Sequence, residues 1–263
     1  MPHTLRFTAA LVLVLTAGGC VRSPSPPSID VHYLGHAAFV LTFDDSLTVL
    51  TDYGASRAWG LDSPVYDFGA VRPDVVTRSH DHLDHAGGEL PDGIGRLLTG
   101  NERYAGQELT ITPIPTFERS LETPDNVSFV FDYRGLKVLH LGDCQGLMLG
   151  LDEPGIRDRV RRLYPHAYDL VLLPIGYVSD ILGEAAEFLT LLDTRRVIPM
   201  HYWSPSDRDA FLELLDGRTD SWGRPYQIET RQNAAFSLGE ADGPVEMVEA
   251  VGLSASKMAG TTG

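Results

Sequence analysis

The chain contains very little cysteine, since Cys20 and Cys144 are the only two among 263 residues. Two cysteines allow at most one disulfide bond, which excludes a fold stabilised by a disulfide framework. Basic residues are also scarce: 21 Lys and Arg stand against 36 Asp and Glu, and the formal net charge is −15 at pH 7. A surface this acidic repels a phosphate backbone, so we expect no nucleic acid among the partners.

The N-terminal apolar run is short. Residues 7–17 fall below the roughly 20 residues needed to span a bilayer, and they follow a cationic residue, Arg6, as in a secretory signal peptide. The segment Ala17-Gly18-Gly19-Cys20 resembles a bacterial lipobox, with Ala17 where leucine is usual. The resemblance implies cleavage after residue 19 and a lipid anchor on Cys20; an ordinary cleaved signal or a retained anchor are the alternatives. We therefore expect export to the bacterial cell envelope, on the periplasmic side or at the surface.

The rest of the chain divides into a tether, one domain and a tail. Residues 20–28 are rich in Pro and Ser and predict an extended tether. The chain is 43% hydrophobic, which suits one large folded domain, predicted at residues 29–250. Residues 251–263 end in small and polar residues, which predicts a disordered tail.

Within the domain, β-type runs come first and helices come later. The early runs DVHYLG, AFVLTF and LTVLTD are separated by turn residues, as in antiparallel hairpins. Helical spacing of apolar residues begins after residue 154 and ends in SDRDAFLELLDG, for which Ser206 is the expected N-cap. The apolar runs YDLVLLPIG and RRVIPMHYW predict buried strands that follow helices. This order predicts an α/β (α+β) fold in which sheets pack together with helices outside.

The densest polar cluster is RSHDHLDH, at the end of the predicted strand PDVVTRS. His80 and His82 are two residues apart, so an extended backbone points both imidazoles to one side, where they can bind one metal ion. Asp84 and His85 follow as the chain turns into small residues, which displaces them from the first pair and suits a second ion. Two divalent ions about 3.5–4 Å apart form the clamp of many hydrolytic sites.

HDHLDH resembles the HxHxDH box of the metallo-β-lactamase superfamily. The segments YLGHAAFVL, VLTD, VLHLGD and VIPMHYW are also similar to motifs of that family, and the resemblance extends from Ile29 to about Trp203. Within the family, the chain looks most similar to generic hydrolases related to ascorbate-phosphate lactonases, and it does not resemble the antibiotic-degrading branch. The resemblance implies a four-layer αββα sandwich with two metal ions at one edge.

The same resemblance assigns the ligands. By position, the first ion would be bound by His80 and His82, the second by Asp84, His85 and His201, and both by Asp143. Asp52 is similar to a buried aspartate of the family that orients a ligand loop, although a residue that merely begins a turn is an equal alternative.

One usual ligand is missing. The family normally supplies a third histidine for the first ion from the segment that here reads IPTFERSLETPDN, where Glu118 occupies the position. A carboxylate binds zinc at roughly 2.0–2.2 Å, about as close as imidazole, and oxygen ligands improve tolerance for manganese or iron. We interpret Glu118 as a ligand; the alternative is that it points to solvent beside Arg119. His140, three residues before Asp143 on a strand, should face away from the site.

Several other residues are weaker candidates. Cys144 is interpreted as a packing residue and His36 as a structural histidine of a hairpin. Four residues follow strand ends and could line the pocket: Tyr177, Asp180, Tyr202 and Trp203.

The resemblance implies a hydrolase that uses two divalent ions, with zinc as the first expectation and manganese or iron as alternatives. A hydroxide held between the metals would attack an ester, lactone, amide or phosphodiester in a small-molecule substrate, and Asp84 or a metal-bound water would handle the proton. The missing histidine favours an alternative: a non-catalytic, envelope-tethered binding or accessory protein with a degraded metal site. A mononuclear enzyme using only Asp84, His85 and His201 lies between the two.

Overall fold

The computed structural model describes residues 25–55, 58, 72–176, 181–239 and 246–254. The predicted signal peptide at residues 1–19, the start of the tether, Tyr177, Asp180 and residues 255–263 lie outside these ranges. Within them, every helix is too short or too polar to cross a membrane.

The described residues form sixteen strands and five helices. The strands are β1 (Ser28–Gly35), β2 (Ala38–Phe43), β3 (Leu47–Thr51), β4 (Val75–Arg78), β5 (Arg96–Thr99), β6 (Tyr104–Ala105), β7 (Leu109–Thr116), β8 (Asn126–Tyr133), β9 (Leu136–His140), β10 (Ala167–Tyr168), β11 (Leu170–Pro174), β12 (Asp193–Thr194), β13 (Arg196–Met200), β14 (Tyr226–Thr230), β15 (Ala235–Gly239) and β16 (Val248–Gly252). The helices are α1 (Leu83–Ala86), α2 (Gln145–Leu149), α3 (Ile156–Leu163), α4 (Leu182–Leu189) and α5 (Pro205–Leu215).

Two large sheets organise the molecule. The first has six strands in the order β15-β1-β2-β3-β4-β5, and the second has eight in the order β14-β16-β13-β11-β9-β8-β7-β6. As predicted, β1, β2 and β3 pair antiparallel in sequence. The buried strands β9, β11 and β13 pair in parallel, which fits their nearly continuous apolar sequences.

Alternating side chains build a core on each face of the larger sheet. Leu170 and Leu172 of β11 pack into the core between the two sheets. Val171 and Leu173 face the opposite way and pack with residues of α2 to α5, such as Phe211. On the outer face of the smaller sheet, an apolar cluster that includes Leu50 packs against Ala86 of α1. The layers therefore run helix, sheet, sheet, helix, which is the αββα sandwich expected from the sequence.

Two predicted boundaries are wrong. Helix α5 begins at Pro205 and its N-cap is Ser204, not Ser206. The backbone N–H of Ser204 donates to the Asp207 carboxylate at 2.8 Å, which fixes this start because an acidic residue at N3 accepts from the N-cap backbone. The domain does not end at residue 250, since β16 continues to Gly252 and Leu253 is buried. β16 lies between β13 and β14 in the sheet. The residues around β16 show no sequence pattern that predicts this pairing.

The strands deliver polar residues to one end of the sandwich. β3 leads to Asp52, β4 leads into the HDHLDH segment, β9 leads to Asp143 and β13 leads to His201. β3 and β4 are parallel, as are β9, β11 and β13, so within each sheet these carboxyl ends lie at the same edge.

Candidate metal centre

The HDHLDH segment places its side chains in two directions, as predicted. His80 and His82 leave the end of β4 together, with ring centroids 4.5 Å apart. α1 then begins at Leu83, and its first turn buries Asp84 and His85 on the inner side. The change from extended to helical backbone gives the second pair its own position, and the two pairs stay adjacent, with the ring centroids of His80 and His85 4.1 Å apart.

The first group consists of His80, His82 and Glu118, whose ligand atoms all lie within 4.8 Å of one another. The Glu118 carboxylate is 3.7 Å from Nε2 of His80 and 3.4 Å from Nδ1 of His82. Glu118 is only 4% exposed, while Arg119 pairs with Asp125 instead. The alternative in which Glu118 points to solvent is therefore wrong; its role as a ligand stays a prediction.

The second group consists of Asp84, His85 and His201, joined by His36. Oδ2 of Asp84 lies 3.6 Å from Nε2 of both His85 and His201. The two Nε2 atoms are 3.0 Å apart. Two imidazoles on one tetrahedral zinc, each about 2.0–2.1 Å from the ion, would have nitrogens roughly 3.3 Å apart. The observed spacing is close to what a shared ion requires.

Asp143 lies where the two groups meet. It forms a third set of ligand atoms with His80 and His85, one residue from each group. Its Oδ2 is also 3.5 Å from Nε2 of His201. The backbone N–H of Asp143 donates to Asn126 at 2.9 Å, which holds the turn after β9 in place. This position suits the bridging role that the family resemblance implies.

Buried partners orient the histidines. Nδ1 of His85 lies 2.8 Å from Oδ2 of Asp52, and Asp52 also accepts from the backbone N–H and hydroxyl of Ser79. Nδ1 of His201 lies 3.0 Å from the carbonyl oxygen of Gly176. Both contacts leave Nε2 pointing into the centre. The prediction that Asp52 orients a ligand is thus confirmed in its geometry, and Asp52 does more than begin a turn.

The donor atoms fit divalent metal ions. Among the described residues, Nε2 of His80, Oε2 of Glu118 and Oδ1 of Asp143 are buried without a hydrogen-bond partner. Buried polar atoms rarely stay unpaired, and ions between these groups would satisfy all three. Imidazole nitrogens mixed with carboxylate oxygens suit zinc, manganese or iron.

Comparisons with known proteins show the family of the chain. A model of a family described as "Beta-lactamase superfamily domain" matches residues 30–201, which is more than half of the chain. The chain belongs to the metallo-β-lactamase superfamily. The matched range begins and ends within two residues of the limits predicted from the motifs, Ile29 and Trp203.

Relatives and solved structures extend the match. A UPF0173 metal-dependent hydrolase of Methanobrevibacter smithii is 26% identical over 218 residues, covering 69% of this chain and 85% of the relative. A protein of the same name from Korarchaeum cryptofilum is 29% identical over 198 residues, covering 66% and 83%. A crystal structure from Thermotoga maritima, a candidate Zn-dependent hydrolase of the superfamily, has a TM-score of 0.56 and 26% identity. It covers 86% of this chain and 98% of that one.

Burial and neighbouring charges shift the pKa values of several groups in this superfamily site. Burial, reinforced by nearby carboxylates, raises the pKa of Glu118 and that of Asp143 to about 7. Burial would lower the pKa of His201, but the Asp143 and Asp84 carboxylates raise it to about 9. A metal ligand must be deprotonated, so a cation at this site would compete with protons for the same groups.

The remaining candidates lie outside the two groups. His140 points away, as predicted, and its Nε2 is 2.9 Å from the carbonyl oxygen of Ala37. Cys144 is buried in the helix-facing core, in agreement with a packing role. Tyr202 is half-buried against both cores, and Trp203 is 38% exposed.

The sequence analysis does not assign two residues to the centre: it gives His36 a structural role only and does not name Gln145. His36 is more than a structural hairpin histidine, because its Nε2 lies 2.8 Å from Asp84. Gln145 is fully buried, and its side-chain amide contacts the carbonyl oxygen of Gly176 beside His201. The proximity of Gln145 to Asp143 in sequence is its only signal. Both contacts join segments far apart in the chain, which motif spacing does not reveal.

Proposed function

We propose that the protein is a metal-dependent hydrolase with a binuclear centre. The observation that carries the proposal is the convergence of all seven predicted residues, six in two adjoining groups and Asp143 where these groups meet, with buried donor atoms that lack partners among the described residues. Membership of the superfamily supports it, as does the name of the relatives, metal-dependent hydrolase.

In this proposal the chain holds two divalent ions, zinc first and manganese or iron as alternatives. His80, His82 and Glu118 would hold the first, Asp84, His85 and His201 the second, and Asp143 both. Such ions polarise a carbonyl or phosphoryl oxygen and make bound water acidic near neutral pH. Glu118 in place of a neutral histidine removes one unit of positive charge from the centre, which weakens that activation.

The chain's own groups would then orient the reactants and move protons. Asp84 is the proposed proton carrier, because its Oδ2 lies 3.6 Å from Nε2 of both His85 and His201. His82 is the most exposed of the predicted ligands, with 34% of its side chain accessible. Substrate would approach from the side of His82, while the other groups stay shielded from water.

The substrate is proposed to be a small ester, lactone, amide or phosphodiester. The net charge of −15 disfavours nucleic acid and other polyanionic polymers. We further propose that the protein is exported and lipid-anchored through Cys20 in the bacterial cell envelope. The lipobox-like segment at residues 17–20 supports this location.

The test is metal content followed by turnover on the full-length chain. The protein is dialysed against trace metals and analysed for ions per chain, then assayed with a panel of esters, lactones and phosphodiesters. About two ions with turnover that a chelator abolishes support the proposal. One ion would support the mononuclear enzyme, and none in a folded chain would overturn the hydrolase and favour the accessory protein. His201→Ala serves as the site variant and His140→Gln as its buried control.

A further inference from the structure

His36 occupies an unusual place for a hairpin residue. It lies in the turn between β1 and β2, yet it is only 3% exposed. Its φ of 55° is in the left-handed region, which hairpin turns usually fill with Gly or Asn. A histidine held there in the interior indicates that its side chain is needed in that position.

The His36 ring contacts two predicted ligands of the second ion. Nε2 lies 2.8 Å from Oδ2 of Asp84, and the ring centroid lies 3.9 Å from that of His201. A carboxylate can only accept, so Nε2 of His36 must carry the proton of this hydrogen bond. The donor fixes the rotation of the Asp84 carboxylate, which comes from a helix of only four residues.

The His36 backbone supports the same group. Its carbonyl oxygen accepts from the backbone N–H of His201 at 2.9 Å and from the Tyr33 hydroxyl at 3.2 Å. One residue of the first sheet thus fixes Asp84 through its side chain and His201 through its main chain. These two predicted ligands are 117 residues apart in sequence: Asp84 lies in α1, which follows β4 of the first sheet, and His201 follows β13 of the second.

We propose that His36 is a positioning residue that orients the Asp84 carboxylate for the second metal ion by donating from Nε2. This inference rests on the binuclear centre of the proposed function. Hydrogen-bond partners of ligands typically change metal affinity by about 10–100-fold when they are removed.

Two variants of the full-length chain separate the effect of the hydrogen-bond donor at Nε2 from the effect of the left-handed backbone in the turn. His36→Asn suits the left-handed turn, but its amide is too short to take the place of Nε2. His36→Gln places an amide N–H near the position of Nε2 and can replace the donor. His140→Gln is the control, because it alters a buried histidine that contacts the same hairpin at Ala37 and not Asp84.

Affinity for Zn²⁺ is measured by chelator competition, and the absorption spectrum of the Co²⁺-loaded chain reports the ligand field. We expect His36→Asn to weaken one of the two ions about 10–100-fold and to change the Co²⁺ spectrum. His36→Gln should recover most of that affinity, and His140→Gln should leave both ions unchanged. Unchanged affinity and spectrum in His36→Asn would overturn the inference, and so would equal losses in the Asn and Gln variants.

Two further results keep the test decisive. Should His36→Asn fail to fold, nitrogen-15 spectra of the wild-type chain identify the protonated ring nitrogen; a proton on Nδ1 would overturn the inference and one on Nε2 supports it. A wild-type chain that binds two ions without turnover overturns the hydrolase alone, since the role of His36 is measured by metal affinity. A wild-type chain that binds no ion overturns both.

Discussion

At the residue scale, several side chains of the candidate centre belong to residues whose backbone has an unfavourable positive φ. Asp52, His36 and His201 have φ values of 48°, 55° and 56°, and they make up half of the six non-glycine residues with positive φ in the described ranges. Each such residue costs of order 1–3 kcal/mol and persists only where surrounding contacts hold it. Asp52, His36 and His201 are held by the same contacts that orient Asp84, His85 and His201. The strained backbone therefore lies at the candidate site.

Asp52→Asn should weaken metal binding about 10–100-fold. Asp52 accepts on both oxygens, from the Ser79 backbone and from His85 together with the Ser79 hydroxyl. An amide has only one acceptor, so one of these contacts is lost. Chelator competition measures the change. His140→Gln is the control, because it alters a buried histidine that contacts Ala37 and lies outside the two groups of predicted ligands; an equal loss in both variants would contradict the orienting role.

Glu118→His should shift the metal preference towards zinc. The substitution restores the nitrogen ligand usual in the family and adds one unit of positive charge to the centre, whereas oxygen ligands favour manganese or iron. The ratio of ions retained after dialysis against an equal zinc and manganese mixture gives the readout. Glu118→Gln, which keeps the shape and removes the charge, should lower affinity for both metals. No change in either variant would show that Glu118 is not a ligand.

At the element scale, the ends of β11 and β13 approach so closely that only glycine fits between them. A Cβ on Gly176 would lie 2.1 Å from the carbonyl oxygen of His201, a backbone atom that cannot swing aside. Gly176→Ala should therefore displace His201, destabilise the fold by about 1–3 kcal/mol and release one metal ion. Thermal unfolding and metal analysis test both effects.

Gly183 is the matched control for that substitution. It lies in α4, and a Cβ there would have no neighbour within 4 Å. Gly183→Ala should raise stability by about 0.5–1 kcal/mol, because alanine loses less backbone entropy in a helix, and should leave metal content unchanged. Equal behaviour of the two variants would contradict the close approach of the strands.

At the scale of the whole molecule, the sequence predicts the residues of the candidate site better than it predicts the order of strands in the sheets. The HDHLDH segment and the strand ends before Asp143 and His201 resemble motifs of the superfamily, and this resemblance predicts the candidate ligands and the αββα layers. The position of β16 between β13 and β14 could not be predicted, because parallel pairing joins distant segments without any short-range pattern. His36 was underestimated for the same reason: its contact with Asp84 spans 48 residues.

The position of β16 makes a prediction about the end of the chain. Val248, Ala250 and Val251 are fully buried, and β16 pairs on one side with β13, which carries His201. A chain that stops after residue 247 should lose its metal ions and its cooperative unfolding transition, because an inner strand of the eight-stranded sheet is missing and its neighbours lose their backbone partners. A chain that stops after Ser254 keeps the whole strand and should match the full-length protein in melting temperature and ions per chain. Circular dichroism and metal analysis of the two truncations measure this, and a folded, metal-loaded chain ending at residue 247 would show that the fold does not need β16.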